Sequence, residues 1–232
     1  MQIKLFAAAG LMFLGACTQN YVATPYTAGA QPLTRVTLAD DVLPQNVIAY
    51  QVASTMSNFG LIGALIDAGV QESRRDAVND ALETISYDPE PALEAYLIAE
   101  MAERGITASL AQGPDRDKRE FLVEYPSADG GVQAYFDIVV DSFGYVQAGG
   151  NEWRPAAGAL VRLVDVGTGD TLMENRIAYN IPNALPGVVT LPPNPEFTFD
   201  NREAMVSDPQ RLAAGIDDGL RRVADTAVSL LR

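Results

Sequence analysis

The chain has 232 residues, of which 16 are basic and 30 are acidic, so its formal net charge at pH 7 is −14. Proteins bind nucleic acid through clusters of Lys and Arg, so we expect no nucleic-acid partner. The chain contains no His and a single Cys, which excludes catalytic triads built on His, an internal disulfide and the usual zinc ligand sets.

Residues 1–16 are typical of a signal peptide that is removed from the mature protein. Lys4 precedes the uncharged apolar run Leu5–Ala16, which is shorter than the roughly 20 residues that a membrane-spanning helix needs. The next residue is the single Cys, and Leu14-Gly15-Ala16-Cys17 resembles a bacterial lipobox. That resemblance implies cleavage between Ala16 and Cys17, and a diacylglycerol and an N-acyl chain such as palmitate on Cys17.

Two other interpretations of the first residues are an ordinary secretory signal with an incidental cysteine and a buried core thiol. Thr18 is not an aspartate, so by analogy with enterobacterial sorting we expect the outer membrane, with the protein on its periplasmic face. Loss of Lys4 with the signal peptide leaves 15 basic and 30 acidic side chains, a net charge of −15. Such a protein has no polybasic membrane patch, so the lipid must provide the anchor. No cofactor or metal is expected beyond that lipid.

Residues 17–45 mix Thr, Ala, Gly and Pro without a sustained period. They predict a lipidated tether, with one short strand at Arg35–Leu38. Val47–Val52 is rich in β-branched and aromatic residues, which predicts the first strand of the folded domain.

Two helices are predicted next. Apolar residues at helical spacing run from Gly60 to Ile85, and the stretch Gly60–Gly69 is interpreted as a buried first turn, or else as a lipid-facing or partner-facing segment. Asp88-Pro89 is typical of a helix start, and Gly105 of a helix end.

The apolar period then changes to two, which predicts strands at Ile106–Leu110, Phe121–Tyr125 and Gln133–Val146. The charged stretch 113–120 between the first two is predicted to be a solvated turn. Asp137 and Asp141 share one face of the third strand, about 13 Å apart by the rise per residue, and we expect that face to be solvated. A glycosidase pair needs roughly 5–9.5 Å between its carboxyls, so these two acids do not fit one.

A hairpin is predicted from Leu160–Val166 and Thr171–Ile181 around a Gly-rich turn. Residues 182–195 carry five prolines and cannot lie inside a sheet. Asp208-Pro209 then begins a helix whose apolar stripe continues to Leu231. We therefore predict an α+β fold in a single domain, residues 46–232. Its mostly antiparallel sheet has two helices after the first strand and a C-terminal helix packed on it.

The hairpin sequence ALVRLVDVGTGDTLMENRIAYN at Ala159–Asn180 resembles a strand–turn–strand of envelope lipoproteins. These are related to the curli-export lipoprotein CsgG, the TolB N-terminal domain and the penicillin-binding-protein activators. The resemblance implies an adaptor or secretion component that binds partners and catalyses no reaction. Nothing in this chain clearly matches the membrane-inserting hairpins of a secretion pore.

Candidate partner-binding residues are Trp153, Arg154, Pro192 and Phe197. Trp and Arg are favoured anchors at protein interfaces, and the extended 182–195 arm is either a docking strip or a long rim loop. Trp153 has a second interpretation, in which it folds over a sheet edge.

Three hypotheses for the function follow. The first is a non-enzymatic, lipid-anchored adaptor or assembly protein with an envelope protein partner, which is also compatible with a homo-oligomer. The second is a carboxylate-dependent hydrolase of envelope glycans, and the third is an auxiliary lipoprotein of an exporter.

Overall fold

The computed structural model describes residues 20–29, 31–40, 43–51, 60–111, 116, 118–147, 150–182 and 184–232, with the backbone alone for 60–69. Ala16, Cys17 and the signal peptide lie outside the described residues. The strands are β1 (Arg35–Leu38), β2 (Ile48–Gln51), β3 (Thr107–Leu110), β4 (Ala134–Gln147), β5 (Trp153–Asp165), β6 (Thr171–Tyr179) and β7 (Val189–Leu191). The helices are α1 (Gly60–Glu83), α2 (Glu90–Glu103), α3 (Arg202–Val206) and α4 (Pro209–Ser229).

The described strands form one sheet in the order β3-β1-β4-β5-β6-β7, and β2 also pairs with β4. The two long pairings, β4 with β5 and β5 with β6, are antiparallel. The four short pairings are parallel, and β1 and β2 lie one after the other along the same edge of β4. The predicted α+β fold is confirmed, with a mixed sheet that is antiparallel in its long strands.

Helix α4 provides most of the apolar cover on one face of the sheet. The Asp208 side chain caps the helix by accepting a hydrogen bond from the Arg211 amide at 3.1 Å, as the sequence predicted. The buried residues of α4 include Leu212, Ile216, Leu220, Val223 and Ala227. They pack against β4, β5, β6 and α2, so the C-terminal helix closes the main core.

The first two predicted helices are also confirmed. The inner face of α2 is buried, and Gly105 follows the helix end with a positive φ of +75°, which suits a residue without a Cβ. The backbone of Gly60–Gly69 lies in α1. The packing of its side chains lies outside the described residues.

Three predictions about local structure are wrong. Phe121–Tyr125 is not a strand, because it crosses over β4 instead of pairing with a neighbour. Trp153 and Arg154 begin β5 and do not lie in a loop. The folded unit begins before residue 46, since β1 is an inner strand between β3 and β4. The arm 182–195 was predicted to lie outside the sheet interior, and its strand β7 does lie at the edge.

Residues 20–29 are also fixed to the fold. Thr24 and Glu174 exchange backbone hydrogen bonds of 2.7 and 2.9 Å, and the Thr27 amide donates to the Leu172 carbonyl at 3.1 Å. This segment therefore occupies the outer edge of β6 beside the part that β7 covers. Among the described residues, no helix has the length and apolar character needed to cross a membrane.

We expect Val223→Ala to lower the free energy of unfolding by about 2 kcal/mol, because it removes two buried methyl groups and leaves a cavity under α4. Val123→Ala is the matched control, since Val123 is 97% exposed, and its effect should stay within about 0.5 kcal/mol. Urea unfolding measures both. Equal effects of the two substitutions would contradict the packing of α4 on the sheet.

Candidate functional site

The face of the sheet opposite α4 carries a row of charges across its three long strands. Asp137 on β4 lies opposite Arg162 on β5, and Arg162 lies opposite Glu174 on β6. Their neighbours along each strand, such as Phe136 and Met173, point into the core beneath the helices. The alternation of a β-strand thus places all three charges on one face.

Asp137 is fully buried, although its face was predicted to be solvated. Its Oδ1 accepts a hydrogen bond from Arg116 Nη1 at 2.8 Å. Its Oδ2 accepts from the Leu122 amide at 2.9 Å and from the Tyr125 hydroxyl at 3.0 Å. Arg116 is only 6% exposed, so the interpretation of 113–120 as a solvated turn is wrong at this residue. A buried carboxylate needs such partners, because an unpaired charge is very costly in a low dielectric.

The Asp137 cluster, defined as Asp137, Arg116, Leu122 and Tyr125, holds the segment after β3 across the sheet. Burial raises the pKa of Tyr125, and the Asp137 charge raises it further. The hydroxyl therefore remains protonated and continues to donate its hydrogen bond. The Tyr125 ring also stacks on Tyr135 of β4, with 4.7 Å between ring centroids.

A second set of ion pairs lies nearer the β6 edge. Arg162 donates two hydrogen bonds to one oxygen of Glu174, at 2.9 and 2.7 Å, and its guanidinium lies 4.1 Å from the centroid of the Phe121 ring. Arg176 pairs with Asp141 across β5. The carboxylate of Asp141 passes directly over Gly158, where any Cβ would collide with it.

Between these groups lies an open cavity of about 770 Å³. Its lining includes Phe121, Tyr125, Tyr135, Leu160 and Arg162. Asp137, Glu174 and Asp141 each have a different arginine partner, and Glu120 and Asp165 also line the cavity. Each of the three paired side chains therefore serves an ion pair of the fold. Within the described part of the chain, no cluster of three or more Asp, Glu, His or Cys could hold a metal ion.

The structure places the four predicted partner-binding residues in different environments. Trp153 is 3% exposed and exchanges backbone hydrogen bonds with Phe199 at 2.7 and 2.9 Å. Its proposed role as an exposed anchor is therefore wrong. Arg154 is exposed and pairs with Glu152 at 2.6 Å. Pro192 is exposed and Phe197 is half-buried.

Arg154 and Pro192 lie at the same end of the sheet. The register pairs Ala157 near the start of β5 with Tyr179 at the end of β6, and Tyr179 with Leu191 at the end of β7. Pro192 follows Leu191 directly, so both exposed residues belong to this end.

The second half of the 182–195 arm is fixed to the fold. The Asn180 amide donates to the Leu191 carbonyl at 2.9 Å. The Asn194 amide donates to the Tyr179 hydroxyl at 2.7 Å, and that hydroxyl donates to Asp218 on α4 at 3.0 Å. Burial raises the pKa of Tyr179 to about 12, so the hydroxyl keeps its proton. These contacts favour the rim-loop interpretation of the arm.

The Asp137 cluster was not predicted from the sequence. The available signal was Asp137 within the otherwise apolar strand stretch Ala134–Val140. A charge at such a position is either on a solvated face or buried with a partner. Arg116 lies 21 residues earlier, in a charged stretch that shows no period, so the partner could not be identified from the pattern.

Comparisons with known proteins assign no family to the chain. No protein-family model matches it, and no curated protein matches it. Solved structures that resemble it include a Xanthomonas campestris protein of the DUF330 family, with a TM-score of 0.45, 10% identity and coverage of 88% of this chain and 89% of that one. A dodecamer of a PelC variant from Paraburkholderia phytofirmans has a TM-score of 0.40, 10% identity and coverage of 91% and 97%.

A candidate lipoprotein from Caulobacter crescentus CB15 has a TM-score of 0.31, 14% identity and coverage of 66% and 87%. All three TM-scores are too low for a conclusion about function. The resemblance of the hairpin to the CsgG and TolB group stays a prediction.

We expect Asp137→Ala to lower the free energy of unfolding by about 3–5 kcal/mol, because it leaves Arg116 buried without its counter-charge. Glu152→Ala is the control, since it breaks an exposed ion pair and should cost less than about 1 kcal/mol. Chemical unfolding followed by circular dichroism measures both. A cost for Asp137→Ala no larger than that of the control would show that the cluster does not stabilise the fold.

Proposed function

We propose that this protein is a non-enzymatic lipoprotein anchored in the outer membrane through Cys17. It works on the periplasmic face as an adaptor or assembly factor, through contacts with an envelope protein. The observation that carries the proposal is the placement of the only cysteine directly after Leu14-Gly15-Ala16, behind a charged head and an apolar run.

The anchor would consist of the acyl chains alone. Each buried CH₂ contributes about 0.8 kcal/mol, so two or more acyl chains hold a protein stably at a membrane. A mature chain of net charge −15 gains nothing from anionic lipids. Removal of the lipid should therefore release the protein.

The ion pairs on the face of the sheet opposite α4 support a role without catalysis. A glycan hydrolase needs two carboxylates that converge on a substrate, one of which keeps its proton near neutral pH. Asp137 is buried under three donors, and Asp141 and Glu174 are held by arginines. These three carboxylates therefore serve ion pairs of the fold, and a hydrolase would have to use the other acids that line the cavity, Glu120 and Asp165.

The partner surface that we propose is the end of the sheet that carries Arg154 and Pro192, with Phe197 beside it. Trp153 would support this surface from within the core, through its backbone pairing with Phe199. An arginine at the rim of an interface contributes through charge and through the stem that it packs on the partner.

The anchor is tested by the intact mass of protein extracted from membranes. We expect the mass of the chain from Cys17 onward with added acyl chains, and a soluble, unacylated product from Cys17→Ala. A soluble wild-type protein with a free thiol would contradict the proposal.

The adaptor role is tested by crosslinking in cells followed by pull-down. We expect Arg154→Glu to reduce the recovery of a discrete complex at least several-fold without changing the melting temperature, because the charge at the rim is reversed. Arg35→Glu is the control, since Arg35 is exposed at the start of β1, which the strand register places at the opposite end of the sheet. Loss of the complex in both variants, or in neither, would contradict the assignment of this end of the sheet as the partner surface.

A further inference from the structure

Three long segments after residue 17 carry no charge, since residues 18–34, 42–66 and 177–195 contain no Asp, Glu, Lys or Arg. The first and the third are distant in sequence, yet the structure joins them at the outer edge of β6, where the Tyr21 amide donates to the Pro186 carbonyl at 3.2 Å. We call the described residues 20–22 and 184–188 the uncharged edge.

The contact between the two segments depends on Gly187. Its φ is +91°, which disfavours other residues, and a Cβ there would collide with the carbonyl oxygen of Tyr21. The loop and the N-terminal segment therefore approach each other backbone to backbone. The backbone hydrogen bond and this close approach therefore fix the uncharged edge in the fold.

Apolar side chains project from the uncharged edge into solvent. Val22 is 82% exposed and Leu185 is 44% exposed, and they flank the hydrogen-bonded residues Tyr21 and Pro186. Isolated exposed apolar residues are common on proteins. Here they coincide with the absence of charge, in a chain whose remaining segments carry all of its 46 charged side chains.

The chain length to the anchor limits where the membrane can lie. Cys17 is four residues before Tyr21, and an extended chain spans at most about 3.5 Å per residue, so the two are within about 14 Å. Tyr21 is in turn fixed beside Thr24, which pairs with Glu174 of β6. An acylated Cys17 would therefore hold the uncharged edge close to the lipid.

We propose that the uncharged edge rests on the surface of a phospholipid bilayer, with β3 at the opposite side of the sheet directed away from it. This inference rests on the proposed lipid anchor. Val22 and Leu185 would enter the boundary between head groups and acyl chains, which favours apolar side chains. The uncharged edge itself has no carboxylate to be repelled by anionic lipids or removed from water, and the neighbouring Glu174 is paired with Arg162.

The test uses a fluorophore attached to a single new thiol in the acylated protein. Leu185→Cys is labelled with a polarity-sensitive probe, and the natural Cys17 does not react because its sulfur is in a thioether. The protein is placed in phosphatidylcholine–phosphatidylglycerol vesicles with and without lipids that carry quenching groups on their acyl chains. Leu110→Cys is the matched control, since Leu110 is 40% exposed on the opposite edge strand β3.

We expect quenching at position 185 to exceed quenching at position 110 by at least threefold, with a blue-shifted emission at 185 alone. Val22→Cys should behave like Leu185→Cys and replaces it if that variant does not fold. Equal quenching at both edges, or stronger quenching at 110, would overturn the inference.

The intact mass of each sample separates the two proposals. A sample without acyl chains would refute the lipid anchor and this inference together. A fully acylated sample with no preferential quenching at the uncharged edge would refute the orientation alone.

Discussion

The antiparallel ladder of β4, β5 and β6 determines where the other parts of this protein lie. One face of the ladder is apolar and is covered by α4. The other face carries Asp137, Arg162 and Glu174 in one row. A buried carboxylate in that row must have donors around it, and this requirement brings Arg116 and the segment at 118–126 across the sheet. The Asp137 cluster is thus a consequence of one charge inside the longest strand.

The outer edge of β6 also requires partners, because an unpaired strand edge exposes backbone N–H and C=O groups. In this protein β7 covers one part of the edge and residues 20–29 cover the next. Thr24 and Thr27, which closely follow the proposed lipidation site in sequence, are therefore paired with the sheet, where a tether was expected. A lipid on Cys17 would then be joined to the folded domain by very few residues, and the domain would have a defined orientation at the membrane.

The sequence predicted the elements with strong local patterns. The apolar stripe of α4 and the Gly-rich turn between β5 and β6 were both located correctly, because helical period and turn chemistry are local properties. The parallel pairings of β1, β2 and β3 were not predicted, since their partners lie far away in the chain and their strands have four residues each. Trp153 was misplaced because its burial depends on Phe199. The burial of Asp137 likewise depends on its ion pair with Arg116, and no periodic pattern links the two residues.

The orientation proposed for the domain depends on residues 20–29 being part of the sheet. Amide hydrogen exchange of the purified protein tests it most directly, because exchange reports the opening of individual hydrogen bonds. We expect the amides of Thr24 and Thr27 to exchange at least a hundredfold more slowly than in an unstructured peptide, together with the amide of Glu174. Exchange of Thr24 and Thr27 at the rate of an unstructured chain, while β4 and β5 stay protected, would contradict this placement.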